Sequence, residues 1–475
     1  MLPLLVLGPL LLAALAAALP GGRWRRRLLV AGALLHLPGV AALWLRPPPP
    51  TAGGWLGVDA AGLLALSTTS ALFLACAVYA QGYLAAHPER DDRIFVSGLL
   101  AVLSALTAAA LSRHLGLLWV VVELTTLGTA PLLYFRHDGR SLEAAWKYLM
   151  VGSLGIALAL LGTFFLALSA SGPGGPRSLL LPDLVAAGPS LSRPWLRGAF
   201  VLLLAGYGTK MGLAPFHAWK PDAYGEAPGV LGALLAGGVT SVAFLAVVRA
   251  VQICQAAGEG AFARAPLLGL GLLSMGVAAI FMAGQRDLKR LLAYSSVEHM
   301  GLLAVGVGLG GAAVSGAFLH VVNNGLTKGV LFLAAGNVHR AFGSKHVDVV
   351  RGAARRLPVS GPLLLAGFLA ATGSPPFAPF QSEFAIVAGA IHDGHGAVAA
   401  AVLALLAVIF VAMGATVLRA VQGDPGEGAP RPEFGDRLLT AGPPVALLLA
   451  VLLLGLWVPR ALAALATAAA ATVGG

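Results

Sequence analysis

Charged side chains are scarce in this sequence. Asp, Glu, Lys and Arg make up 11% of its 475 residues, and apolar types make up 58%. A soluble domain of this length has too little interior to hide that much apolar surface, so the solvent for most of the chain is lipid. At roughly 20 residues per crossing, the length accommodates about fourteen helices. That excludes a soluble enzyme and a single-anchor receptor. Cysteine is scarcer still, with only Cys76 and Cys254, each inside an apolar segment. An iron–sulfur cluster needs more ligands than that, and a disulfide framework is excluded on the same count. Both cysteines read as core residues. Also missing are a phosphate-cradling glycine loop, a metal-spaced His/Cys set and a nucleophile triad. The GxG patterns present lie in apolar helices and carry no weight. No cofactor and no metal are expected in this chain.

The formal net charge of +11 raises nucleic acid as a partner. The basic residues sit in short loops between apolar runs and form no stripe or motif, which excludes that reading. No basic residue precedes the first apolar run, whereas Arg23, Arg25, Arg26 and Arg27 follow it. This is the reverse of a secretory signal, so the run reads as a retained first helix.

Apolar runs fall near residues 2–19, 28–45, 60–84, 94–111, 115–135, 144–170, 197–220, 229–251, 264–283, 291–310, 313–338, 360–390, 397–420 and 439–459. The expected fold is therefore an all-α polytopic membrane protein of about fourteen transmembrane helices. Abundant glycine and alanine suit close helix packing in lipid. With the N-terminus outside, alternate loops beginning at 21–27 would lie inside, and they hold 21 of the 31 basic residues. Lys220, Lys289, Arg290 and Arg431 are counted among these. Outer loops and ends hold eight, including Arg177 and Arg249, and Lys210 and Lys328 fall within helices. This bias predicts that both termini lie outside, in a cell (cytoplasmic) membrane. The segments 171–196 and 421–438 read as surface connections, and no separate soluble domain fits. The predicted division is 1–93 for three N-terminal helices, 94–251 and 264–420 for two five-helix blocks, and 439–475 for the last helix. An odd number of helices per block makes the two blocks inverted repeats.

A charge at membrane depth is costly, so it faces the bundle interior and does something there. Glu123, nine residues into its run, reads as an acid paired with a buried cation or as a carboxylate capped by Thr125 or Thr126. Lys210 lies in Gly206-Tyr-Gly-Thr-Lys-Met-Gly-Leu-Ala-Pro-Phe-His-Ala-Trp-Lys-Pro-Asp, where Pro215 breaks the helix. A lysine beside such a break resembles a transporter ion site, and a moving carboxylate nearby would make it take or release a proton. His320, Asn324 and Lys328 recur every fourth residue, so they share one helix face. Such a ladder passes protons, His by titration and Asn by orienting water; helix-to-helix hydrogen bonding is the alternative. Glu383 follows Pro375, Pro376 and Pro379, which break a second helix, and it reads as an exit acid or an interfacial glutamate. Glu298 and His299 stand equally well as a proton-uptake site or as a structural hydrogen-bond pair. The preceding Gln285-Arg-Asp-Leu-Lys-Arg reads as a solvated anchor. His217 and Asp222 read as caps and anchors.

These residues resemble the proton-antiporter-like membrane subunits shared by complex I, Mrp-type cation/proton antiporters and membrane-bound [NiFe] hydrogenases. The resemblance is carried by Lys210-Met-Gly-Leu-Ala-Pro-Phe-His-Ala-Trp-Lys-Pro-Asp-Ala, by Asp287-Leu-Lys-Arg-Leu-Leu-Ala-Tyr-Ser-Ser, and by Gly373-Ser-Pro-Pro-Phe with Ser382-Glu383. Glu123-Leu-Thr-Thr-Leu and Ser295-Ser-Val-Glu-His-Met-Gly are most similar to the hydrogenase-4 component F branch. The resemblance implies fourteen helices, two inverted five-helix repeats and two broken helices. It implies a coupled Glu123–Lys210 pair, Lys328 as central lysine, His320 as relay partner and Glu383 as outer acid. Two places depart from the family pattern: Asn324 stands for a second histidine, and Ser241 or Thr240 for a Lys, His or Asn. Both remove titratable groups, so Asn324 and Ser241 would orient water instead. Nor is there room after residue 460 for the long lateral helix of some relatives.

The implied function is a proton-translocating subunit of a membrane-bound respiratory oxidoreductase complex. Its partners would be other membrane subunits and a peripheral redox arm that carries the electron chemistry. A cation/proton antiporter subunit, a subunit of an inorganic-carbon uptake complex and a non-conducting scaffold are the alternatives.

Overall fold

The computed structural model describes residues 1–474 apart from 88–89, 173–174, 177 and 425–433. Arg177 and Arg431 of the loop-charge pattern thus lie outside the described residues, as does half of the 421–438 connection. The regular elements of the described residues are almost all helices. In order come α1 (Leu2–Ala18), α2 (Gly22–Leu45), α3 (Ala60–Ala85), α4 (Arg93–Leu111), α5 (Leu115–Leu133), α6 (Gly139–Ala170), α7 (Leu181–Ala186) and α8 (Arg193–Met211). Then follow α9 (Trp219–Glu226), α10 (Gly229–Leu234), α11 (Thr240–Ala256), α12 (Gly260–Met282), α13 (Leu288–Leu309) and α14 (Ala313–Phe342). The chain closes with α15 (Ala353–Arg356), α16 (Ser360–Ala371), α17 (Ala378–His392), α18 (Gly396–Gln422), α19 (Leu438–Leu456) and α20 (Arg460–Ala471). Among the described residues only isolated β-bridges occur, such as His114 with Leu180 and Asp287 with His346.

Local chemistry sets several boundaries. Asp59 caps α3 by accepting from the amide of Gly62 at 2.8 Å. Asp138 and Ser141 form a reciprocal box at the start of α6, and Asp287 accepts from the amides of Lys289 and Arg290 at α13. Each cap satisfies donors that a helix N-terminus leaves free. The 197–220 run divides into α8 and α9. The stop is Gly212 rather than Pro215: Gly212 holds φ at +80°, a left-handed conformation that ends a helix. Pro215 sits in the unwound stretch, where the amide of Ala214 finds the Ser274 hydroxyl at 2.8 Å. The 360–390 run divides likewise into α16 and α17 around Pro375 and Pro376. A wide turn at Leu235–Val239 joins α10 to α11, as inserted residues do near functional positions.

Among the described residues, ten helices are long and apolar enough to cross a membrane. Burial sorts them: the continuous α10–α11 span is wholly buried and α13 nearly so, whereas only 22% of α18 is buried. A helix apolar all round and buried all round belongs at the centre, and one that exposes its leucines faces acyl chains. At the centre, α14 packs against α3, α10, α13, α16, α17 and α19. The expected surface connection 171–196 contains the short helix α7. One further helix, α20, falls beyond the last apolar run and packs on α3 and α14.

Four basic residues counted with the loops are buried in the protein: Arg25, Lys220 and Lys289 from the inner loops and Arg249 from the outer ones. Lys220 is the second residue of α9, which folds back into the protein after the break. Lys289 donates to the carbonyl of Ala227 at 2.8 Å, so that part of the expected solvated anchor is interior. Arg249 pairs with Asp59 at 3.0 Å. Each has a partner inside, which offsets the cost of leaving water. Arg286 and Arg290 stay exposed, as a solvated anchor requires.

Candidate functional site: a buried polar axis

Two of the buried polar clusters among the described residues contain the expected lysines. The first is built by α5, α6 and α8. Glu123, half-buried, accepts from Thr126 Oγ1 at 3.1 Å and from Ser153 Oγ at 2.6 Å. The ammonium of Lys210, fully buried one residue before α8 ends, donates to Thr126 Oγ1 at 2.5 Å and to Tyr148 Oη at 2.8 Å. Tyr148 Oη in turn meets Thr129 Oγ1 at 2.8 Å. The expected acid and lysine are thus brought together, with Thr126 standing between them. The two readings of Glu123 coincide: Thr126 caps the carboxylate and also links it to the cation. Of the residues around the pair, Thr126 was named as a cap of Glu123, whereas Tyr148 and Ser153 were not singled out in the sequence.

The second cluster joins α13, α14 and α17. Lys328 donates to Ser295 Oγ at 2.6 Å and lies within electrostatic range of Glu298 and Glu383. His320 Nε2 meets His299 Nδ1 at 3.0 Å, and His320 Nδ1 meets Ser382 Oγ at 2.9 Å. Glu298 and His299 approach at 3.4 Å, outside good hydrogen-bonding geometry. Neither carboxylate oxygen of Glu298 has a partner, and neither do His299 Nε2, Glu383 Oε1 or both amide atoms of Asn324. Buried polar atoms left over in this way call for water or a ligand. The Glu383 carboxylate lies against Gly373, whose φ of +64° and missing Cβ make room for it. Asn323, also not singled out, donates to Ala378 O at 2.8 Å and to Ser382 Oγ at 3.1 Å, fixing α14 to the start of α17.

His320, Asn324 and Lys328 do share a face of α14, and Glu298, His299 and Glu383 converge on it. Ser241 and Thr240 behave differently. Their hydroxyls donate back to Gly237 O and Ala236 O at 2.7 Å, the usual retreat of a helical Ser or Thr. Asp222 is an anchor as expected, accepting from Arg290 at 2.7 Å and Lys147 at 3.0 Å.

His299, His320 and Glu383 offer three ligand atoms that all lie within 4.8 Å of one another. Two imidazoles and a carboxylate are a donor set for a divalent ion. Here three of the four ring nitrogens are engaged with each other and with Ser382, His299 Nε2 alone is left over, and the neighbouring Lys328 opposes a further cation.

Between the clusters stand three residues of α9. Trp219 packs on Tyr148 at 5.0 Å between ring centroids and on Tyr224 at 5.9 Å. Its Nε1 donates to Thr209 O at 2.8 Å. Lys220, fully buried, donates to Ser296 Oγ at 3.0 Å and sits 5.7 Å from the Tyr224 ring.

The family described as NADH:quinone oxidoreductase/Mrp antiporter, transmembrane region, matches residues 112–410. The chain is 34% identical over 403 residues to a hydrogenase-4 component F homolog of Methylacidiphilum infernorum, covering 83% of each protein. It is 32% identical over 419 residues to NADH-quinone oxidoreductase subunit N of Desulforudis audaxviator, covering 86% of this chain and 82% of that one. Among solved structures, a chain of respiratory complex I from Thermus thermophilus superposes over the whole of both chains with a TM-score of 0.84 at 26% identity. A chain of the Mrp complex from Dietzia sp. shares the fold at a TM-score of 0.86 and 22% identity, covering 99% of this chain and 97% of that one. The chain belongs to the NADH:quinone oxidoreductase/Mrp antiporter family of transmembrane subunits.

Proposed function

We propose that this chain is the proton-translocating, antiporter-like subunit of a membrane-bound oxidoreductase complex of hydrogenase-4 or complex I type. The observation that carries it is the pair of buried clusters, each placed beside a broken helix and each containing a lysine hydrogen-bonded to a hydroxyl. Lys210 and Glu123 form the driven pair. Glu298 and His299 take up protons and deliver them to Lys328. Asn324 orients water, and His320 hands the proton towards Glu383, the exit acid. The chain holds no redox cofactor of its own. Electron transfer in partner subunits shifts the Glu123–Lys210 pair, and a proton moved against ~100 mV requires about 2.3 kcal/mol.

The topology that fits this reading has fourteen crossings. Besides the ten long apolar spans, α1, α8, α14 and the α16–α17 pair cross the bilayer. Residues 94–251 and 264–420 form the inverted repeats, each with one of the two breaks. Residues 1–93 and 439–475 flank them, and both termini lie on the outer side of the cytoplasmic membrane.

Lys210→Ala is expected to abolish redox-driven proton pumping in everted vesicles carrying the assembled complex, with membrane insertion unchanged. Pumping at the wild-type rate in that variant would remove the axis from the mechanism. The family also contains Mrp antiporters, which makes a cation/proton antiporter subunit the second reading. Sodium-dependent proton uptake by the chain with no redox partner would establish it.

A further inference from the structure

The two clusters need a link. Among the described residues no hydrogen bond joins the Lys210 group to the Lys328 group. Trp219 fills the space between them and keeps its one donor on Thr209. The helix expected to supply a titratable centre, α11, offers Ser241 and Thr240, whose protons are spent on their own helix.

We infer that Lys220 carries the proton between the two halves of the axis. The inference rests on the translocation reading above. Lys220 is 0% exposed, so it is no interfacial lysine reaching for water. Its aliphatic stem runs over Gly212, where any Cβ would collide with it. The same residue that ends α8 just after Lys210 therefore opens the path for the Lys220 side chain. The ammonium ends on Ser296 Oγ at 3.0 Å and Ser296 O at 3.4 Å. Ser295, the adjacent residue, holds Lys328 at 2.6 Å. One turn of α13 thus presents two lysines side by side, within electrostatic range of each other. Two ammonium groups in a low-dielectric interior repel, so a proton arriving on one favours departure from the other. Only N–H and O–H bonds are exchanged: the proton leaves the Lys220 nitrogen, which keeps its lone pair, and passes by way of the serine hydroxyls and water to Lys328. On the other side, Lys220 faces Tyr224, whose ring packs on Trp219, and Trp219 in turn packs against Tyr148 of the first cluster.

The test uses the assembled complex in everted vesicles, with electron transfer, proton pumping and assembly measured together. Lys220→Arg keeps the charge and the hydrogen bonds but cannot release a proton. Lys220→Met keeps the stem and loses both. If Lys220 carries protons, both variants lose pumping by about a hundredfold while the complex still assembles. If Lys220 is only a structural cation, Lys220→Arg pumps like the wild type, which overturns the inference. Should the bulkier arginine prevent assembly, wild-type pumping in Lys220→Met overturns it equally. Lys210→Ala measured alongside separates the two failures. If Lys210→Ala is silent and both Lys220 variants pump, translocation stands and only the role of Lys220 falls.

Discussion

Thr126 receives the ammonium of Lys210 and gives its own proton to Glu123. A hydroxyl in that position transmits a change at the acid to the lysine without the two groups touching, and it lets them separate without breaking an ion pair in lipid. A hydrogen bond to a charged group is worth about 1.5–3 kcal/mol, so Thr126→Val is expected to lower coupled pumping by about ten- to a hundredfold. Thr126→Ser, which keeps the hydroxyl, is expected to restore it. Equal pumping by the two variants in the vesicle assay would show that the bridge is incidental. Asn324 makes a complementary case. Its amide is buried with both polar atoms unpaired, a cost of about 1–3 kcal/mol each without water. Asn324→Leu is therefore expected to keep or raise the thermal midpoint of the purified protein while pumping falls. A lower midpoint with pumping intact would mean the amide serves packing.

At the scale of elements, the breaks place the chemistry. A continuous helix through Gly212 would carry Lys220 roughly 15 Å along the axis from Lys210, and the central link would be lost. Gly212 combines φ of +80° with contact against the Lys220 stem. Gly212→Ala therefore faces left-handed strain of about 1–2 kcal/mol plus displacement of that side chain. The expected result is a lower thermal midpoint and impaired pumping together, whereas Ala at the exposed, unobstructed Gly269 is expected to change neither. The pair Arg249–Asp59 joins α11 to the start of α3 at 3.0 Å. Neither residue stood out in the sequence, because Arg249 lies near the end of an apolar run and Asp59 just before another. Only the bundle brings those ends together.

At the scale of the whole molecule, a cavity of about 630 Å³ lined by Arg136, Glu226, Asp287 and Lys345 opens between the two predicted repeats. Lys345 reaches Glu226 at 2.7 Å and Asp287 at 3.3 Å, and Arg136 approaches Glu226 at 3.6 Å. These half-buried pairs tie α9 to the loop after α14. Glu226→Gln is expected to lower the thermal midpoint by a few degrees at low ionic strength. Salt should narrow the gap from the wild type, because mobile ions screen the pairs. A gap unchanged by salt would argue that Glu226 acts through packing.

Composition alone settled that this chain lives in lipid, because no water-soluble interior accommodates so large an apolar share. Helical periodicity put His320, Asn324 and Lys328 on one face, and proline runs marked two broken helices. The motifs around Lys210 and Glu383 identified the family. Those are local properties, readable wherever spacing and residue type suffice. Which polar groups meet is a different matter. Thr126 between Glu123 and Lys210, Ser295 and Ser296 under two lysines, and Lys220 turned from loop to interior all depend on how separate helices pack. A sequence carries no record of which way a side chain points once its helix has been interrupted. The direction of α9 after Gly212 decided that, and only the tertiary structure contains it.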